Sequence, residues 1–183
     1  SSAAISAGSR HSDYSQVCTD SNGGQRQCSS DKNVGNFTMT DVTFSNVETA
    51  IRHGSGAGTG FTMTDFTING ADKACLNLPK SSDATIKEGT MTNCNTDGET
   101  WGGAIVNFPG STGGMLHVEN VTITNAYYNL ISTDLQHVTV SNVTATVTSG
   151  AKQAGTVFTS NFGVDSEVNL FNFVADDYTS ASI

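Results

Sequence analysis

Four cysteines and a scatter of carboxylates are the residues with chemistry to offer in this 183-residue chain. Cys18 and Cys28 flank the hydrophilic loop TDSNGGQRQ, while Cys75 and Cys94 lie nineteen residues apart, and neither pair has the CxxC spacing of a zinc or redox site. An even count in a chain rich in Ser, Thr and Asn points to two local disulfides and an oxidising compartment, against the alternative of four inert buried thiols. Asp41, Asp65 and Glu88 recur along the chain as a possible column of like charges, which either splay into water or share a cation such as Ca2+. Glu48 and Asp72 are each followed closely by bases, Arg52 with His53 in one case and Lys73 in the other. Together with Trp101, Tyr127 and Tyr128 they outline a groove in which a carbohydrate could be bound or cleaved. His11, His53, His117 and His137 have no ligand spacing, and no Ser-His-Asp set, phosphate loop or nucleotide motif is present. No cofactor is expected, with calcium at Asp41, Asp65 and Glu88 as the one candidate.

Composition narrows the setting. Eight Lys and Arg against 17 Asp and Glu give a net charge of −9, which disfavours nucleic acid and anionic membrane surfaces as partners. No apolar run approaches the length of a membrane span. The opening SSAAISAGSR lacks the basic and apolar regions of a signal peptide and reads as a mature N-terminus. With 36% hydrophobic residues, 19 Gly and only 2 Pro, the chain is a folded one that favours strands and many turns over long helices.

The elements that must position these residues come from a repeat. Ten-residue copies start at Phe37 (FTMTDVTFSN), Phe61 (FTMTDFTING), Ala84 (ATIKEGTMTN), Leu116 (LHVENVTITN), Val138 (VTVSNVTATV) and Val168 (VNLFNFVADD). The first, third, sixth and eighth positions are apolar in every copy, with Gly89 the single exception, and are expected to face inward. The fifth position, Asp41, Asp65, Glu88, Asn120, Asn142 or Asn172, breaks the alternation as a turn residue would. The rest of each coil supplies a third strand: Ala74–Pro79 and Ala104–Pro109 align as Ala-x-x-Asn-x-Pro, with Ala50-Ile51 and Asn129-Leu130-Ile131 in equivalent places. One insert, NTDGETWGG, carries Trp101, and another surrounds SGAKQAG.

Three short strands per coil describe an all-β solenoid whose coils stack about 4.8 Å apart. With Asn46, Asn93 and Asn125 stacked at the turn after the second strand, the pattern resembles the right-handed parallel β-helix of the pectate-lyase-like superfamily, over about residues 33–183. The resemblance implies about six coils from residue 37 to 183, preceded over 1–36 by an irregular arm or first incomplete coil with a disulfide loop. A jelly-roll sandwich would not explain the in-register turn residues. In that superfamily a lyase needs a calcium-binding carboxylate cluster and an Arg or Lys base; SNVETAI resembles the calcium strand and ADKACLNL the lysine strand of one of its small families. The coils that follow, NCNTDGETWGGAIVNF and NAYYNLIST, offer no basic partner, so no catalytic residue is assigned.

Two further surface patterns remain. Thr43/Ser45, Thr67/Asn69, Thr90/Thr92, Thr122/Thr124 and Thr144/Thr146 make a threonine file that resembles the ice-binding faces of some solenoid antifreeze proteins, although Thr is also a favoured outward strand residue. Asn36, Asn120 and Asn142 begin N-glycosylation sequons. The last coil, NLFNFVADDYTSASI, reads as cut off after two strands with no capping helix, and a solenoid's open ends must be capped or paired. The expectation is a secreted surface protein whose partners are copies of itself, assembling end to end or through its N-terminal arm into a fibre, sheath or layer. A carbohydrate-active protein acting on extracellular polysaccharide is the runner-up, and an ice-binding solenoid the third reading.

Overall fold

The bend in each copy has a backbone cause. The fifth residue of every copy takes a left-handed conformation: Asp41 (φ 56°), Asp65 (51°), Glu88 (53°), Asn120 (53°), Asn142 (53°) and Asn172 (48°). Asn and Asp enter that region at least cost because their short side chains bond locally, whereas Glu88 lacks that advantage. One left-handed residue turns the chain and resets the alternation, which is why inward positions run first, third, sixth, eighth. A second left-handed residue, Asn46 (52°), Gly70 (88°), Asn93 (55°) or Asn125 (56°), closes four of the copies at the tenth position and sends the chain toward its third strand.

In the computed structural model the chain is described for residues 5–7, 17–19, 25–27, 36–53, 60–78, 83–107, 114–135, 137–148, 156–160 and 167–176. These residues form strands and connections with no helix among them. The strands are β1 (Ile5–Ala7), β2 (Val17–Thr19), β3 (Gln25–Gln27), β4 (Phe37–His53), β5 (Gly60–Asn77), β6 (Asp83–Cys94), β7 (Gly103–Asn107), β8 (Met115–Ala126), β9 (Asn129–Thr133), β10 (His137–Thr146), β11 (Thr156–Ser160) and β12 (Glu167–Asp176). Ten of them make one curled parallel sheet, and β2 and β3 make a separate antiparallel pair. The arrangement is all-β and solenoid-like.

Two columns of strands run through the sheet. In the first, β4, β5, β6, β8, β10 and β12 pair in parallel with equal repeat positions opposite one another: Phe37, Phe61, Ala84, Leu116, Val138 and Val168 form one continuous row. In the second, β1, the ends of β4 and β5, then β7, β9 and β11 follow one another. β4 and β5 pass through both columns as unbroken strands of 17 and 18 residues, so the expected separation into three short strands is lost there.

The rows of inward residues build the core: Phe61, Met63, Ile68, Ile86, Met91, Leu116 and Ile123 are fully buried, and Phe37, Val42, Phe44, Val168, Leu170 and Phe173 pack against them at the two ends. Gly89 fits the same logic, because a Cβ there would run into the ring of Phe66, its neighbour in the preceding coil.

Two expectations need correction. The third-strand alignment slips by one: Ala74 pairs with Gly103 and Asn77 with Val106, so Asn107 falls in step with Leu78 rather than Asn77. Gly102 and Gly103 drive the slip, since a Cβ at Gly102 would strike the Lys73 carbonyl and one at Gly103 the Asn129 carbonyl; only glycine lets the chain through. Thus placed, Asn107 is wholly buried and donates to the Leu78 carbonyl (3.2 Å), while its Oδ1 accepts from Thr133 (3.0 Å), whose hydroxyl accepts from the Leu135 amide (3.1 Å). The asparagine stack is also broken: Gly70 stands between Asn46 and Asn93, and the ladder that forms is Asn125 Nδ2 to Asn93 Oδ1 (3.0 Å), extended by Thr148, which donates to Asn125 Oδ1 from its amide (2.8 Å) and hydroxyl (2.9 Å).

At the first coil, His53 is buried with its ring 6.1 Å from that of Phe37 and 5.7 Å from that of Phe61. Desolvation holds its pKa below the ordinary histidine value. The unfolded chain therefore binds the proton more readily than the folded one, so this contribution to stability is full above about pH 6.5 and falls as the pH drops through the window below it. The melting temperature should decline between pH 7.5 and pH 5, and His53→Phe should flatten that decline; an unchanged slope would show that His53 does not carry it.

Candidate functional site

The fifth-position turns bring the expected acidic column together on one outer face. Their outward carboxylates and the seventh-position hydroxyls line an open trough of about 520 Å3, bounded by Asp41, Asp65, Glu88, Thr43, Thr67 and Thr90 among others. Further along the same column the carboxylates give way to amides, and these form a directional ladder: Asn172 Nδ2 donates to Asn142 Oδ1 (2.9 Å), Asn142 Nδ2 to Asn120 Oδ1 (3.0 Å), and Asn120 Nδ2 to Glu88 Oε1 (2.6 Å). A carboxylate can only accept, so Glu88 fixes the orientation of each amide beyond it. The fifth-position column therefore runs from carboxylates at the Asp41 end to amides at the Asn172 end, and the trough covers its part from Asp41 to Asn120.

Asp41, Asp65 and Glu88 are the residues expected to share a calcium ion. No group of three or more His, Cys, Asp or Glu able to hold a metal ion occurs among the described residues. Asp41, Asp65 and Glu88 project one per coil from successive turns, and Glu88 is already engaged by Asn120.

The second expected cluster is also rearranged. A bulge between Val47 and Thr49 sets Glu48 against the Asp72-Lys73 pair, and Lys73 Nζ meets Glu48 Oε1 at 2.6 Å. The bond to Glu48 raises the Lys73 pKa above its ordinary value. A proton-abstracting base is helped by the opposite shift. Asp72 accepts a bond from Thr96 Oγ1 (3.3 Å) and, through its carbonyl, from the Asp97 amide (2.9 Å). Arg52 stands on β4 with Glu48, in step with Asn77 of β5.

Trp101 is placed by a loop that sequence patterning marked only as an insert. Asn95, fully buried and left-handed (φ 64°), donates to the Glu99 carbonyl (2.8 Å) and the Tyr127 carbonyl (3.1 Å) and accepts from the Glu99 amide (2.9 Å). Asn129 Nδ2 donates to the carbonyls on either side of Trp101, at Thr100 (3.2 Å) and Gly102 (2.9 Å). The clamped loop leaves Trp101 42% exposed. Asn-Thr-Asp-Gly is turn chemistry, but nothing in the pattern marks Asn95 as the residue that joins the loop to the next coil.

Of the remaining candidates, Cys75 and Cys94 form a disulfide inside the core, both fully buried. The pairing of Cys18 with Cys28 lies outside the described residues, although β2 and β3 bring residue 18 opposite residue 26. Asn36 is exposed just ahead of β4, whereas the amides of Asn120 and Asn142 are donors in the fifth-position ladder, so a glycan on either would compete with it. The threonine file is in register through five copies of the repeat, with Thr90 Oγ1 donating to Thr67 Oγ1 (3.4 Å), and its seventh-position row lies beside the acidic fifth positions.

The fold and site define an all-β, solenoid-like protein of stacked parallel strands with a polar ladder on one side and a buried disulfide. No protein family, curated protein or solved structure matches the chain.

Proposed function

We propose that the chain is a secreted structural protein, a right-handed parallel β-helix of six coils like those of the pectate-lyase-like superfamily, which self-assembles end to end or through its N-terminal arm into a fibre, sheath or surface layer. The observation that carries this reading is the terminal strand. β12 pairs with β10 alone among the described residues, and it carries Phe171 (57% exposed) and Val174 (48% exposed). In earlier coils the corresponding outward positions are polar: Thr40, Thr64, Lys87, Glu119 and Ser141 in one row, and Thr43, Thr67, Thr90, Thr122 and Thr144 in the other. An apolar outward pair on an edge strand suits strand addition by another chain. The buried Cys75–Cys94 disulfide fits an extracellular location.

Electron microscopy and light scattering across a concentration series test this directly. Elongated assemblies that grow with concentration are expected; a monomer persisting at millimolar concentration would sink the proposal.

The exposed Trp101 on its clamped loop favours glycan binding as the second reading. Trp101 is the sole tryptophan, so its fluorescence reports on that face alone. Polyuronates with and without calcium should shift its emission if sugars stack there, and unsaturated products absorbing in the ultraviolet would mark a lyase. An unchanged spectrum across such a panel removes both.

A further inference from the structure

The Asn95 clamp encloses a peptide bond that can rearrange by itself. Asp97–Gly98 is the one Asp-Gly pair in the chain. Asp97 is exposed in the turn between β6 and β7 rather than held in a strand, and Gly98 follows it with a left-handed φ of 75°. The Gly98 amide is engaged only within that turn, donating to the Asn95 carbonyl (3.0 Å). A glycine after an aspartate leaves its own nitrogen open to the preceding side chain, because no Cβ stands beside the path between them. Every other aspartate of the chain is followed by a residue with a side chain. Two Asn-Gly pairs offer the related deamidation, but Asn69–Gly70 lies inside β5, with Asn69 paired to Ser45 on one side and Thr92 on the other, and Asn22–Gly23 lies outside the described residues.

We propose that Asp97–Gly98 is a site of spontaneous isomerisation to isoaspartate through a succinimide, and that the product opens the Asn95 clamp and shifts Trp101. It depends on neither reading of function above.

The chemistry needs only water. The Gly98 nitrogen attacks Cγ of the protonated Asp97 carboxyl, the N–Cγ bond forms, and the amide proton leaves with the carboxyl hydroxyl as one water. Water then opens the ring at either of its two carbonyls. Addition at Cγ breaks the new bond and restores aspartate, whereas addition at the main-chain carbonyl breaks the original peptide bond, so that the chain runs through Cγ and a free α-carboxylate remains. One water is lost and one regained. Mass, charge and oxidation state are unchanged, while the backbone between residues 97 and 98 is longer by one carbon.

The anchors of the loop decide what that carbon disturbs. Upstream, the Thr96 and Asp97 amides donate to the Ala71 and Asp72 carbonyls of the preceding coil (3.1 and 2.9 Å). Downstream, Asn95 holds both the carbonyl (2.8 Å) and the amide (2.9 Å) of Glu99. The altered bond lies inside the ring that Asn95 and Glu99 close, and a ring that gains a backbone atom cannot keep both contacts at bonding length without strain. Glu99 in turn accepts from the Gly102 amide (2.9 Å), which closes the turn carrying Trp101, so a displaced Glu99 moves the indole.

Peptide mapping of the folded protein after prolonged warm incubation near neutral pH tests this, with an isoaspartyl methyltransferase as the probe for the new linkage. Wild type is compared with Asp97→Glu, which keeps the charge but cannot close the five-membered ring, and with a denatured wild-type sample; circular dichroism shows that the variant folds. Wild type should lose the ordinary peptide spanning residues 97 and 98 in favour of one of unchanged mass that accepts a methyl group, and Asp97→Glu should show no such change there. Deamidation at an Asn-Gly pair raises the peptide mass and is told apart by it. The emission of Trp101, the sole tryptophan, should move to longer wavelength in step with the converted fraction. If the bond stays intact in the folded protein, the site is overturned, and conversion of the denatured sample alone would show that the fold protects it. If the bond converts while the emission stays in place, the opening of the clamp is overturned.

Discussion

Replacing Cys75 and Cys94 together by alanine is expected to lower stability by about 3 kcal/mol, a drop in melting temperature of about 6–12 °C for a chain of this size. The bond closes a sequence separation of 19 residues and joins the third-strand segment of β5 to the end of β6, one coil on. Its loss frees the unfolded chain, and in the folded state the lost sulfurs leave space inside a core where Cys75 and Cys94 share one fully buried cluster with Leu76 and Met91. That burial also predicts the redox behaviour. A mild reductant should leave the bond intact in native buffer and cleave it once denaturant opens the fold. Rapid reduction under native conditions, or a double variant that melts with the wild type, would contradict this account.

The second large effect concerns the sixth-position row, which reads Val42, Phe66, Gly89, Val121, Val143, Phe173 across successive coils. Phe66 fills the space that a side chain at position 89 would take. Gly89→Val should therefore overpack the core and cost about 1–3 kcal/mol, and Phe66→Val should leave a cavity of comparable cost. Combined, they restore an unbroken run of valines, so the double variant should be more stable than the sum of the two losses by about 1–2 kcal/mol in chemical denaturation. Gly89 carries no left-handed φ, so valine there meets no backbone penalty. Strict additivity would mean that the two residues do not share space.

These two effects also separate what patterning could reveal from what it could not. The repeat was legible because it rests on residue types acting locally. Asp and Asn at fifth positions tolerate a left-handed backbone, apolar residues alternate around them, and both properties belong to each short copy taken alone. From that followed the parallel stacking, the inward rows and the Gly89 exception, though not its cause. The acidic column was legible as a column but not as one side of a trough shared with the seventh-position threonines.

The third strand shows where sequence reasoning stops. Two Ala-x-x-Asn-x-Pro segments match well by eye, yet Asn107 pairs in step with Leu78, because glycine is required where the chain passes the Lys73 and Asn129 carbonyls. Glu48 and Lys73 were candidates for a glycan groove in the runner-up reading; what the sequence did not reveal is the bulge that aims them at each other. By itself the sequence determined the strand–bend–strand repeat, its phase and which side of the repeat strands is buried, since periodicity acts over a few residues. The register of the third strand, the Asn95 and Asn107 anchors and the Glu48–Lys73 pair were decided by the tertiary structure alone, because each is a contact between different coils at a place where the repeat is irregular.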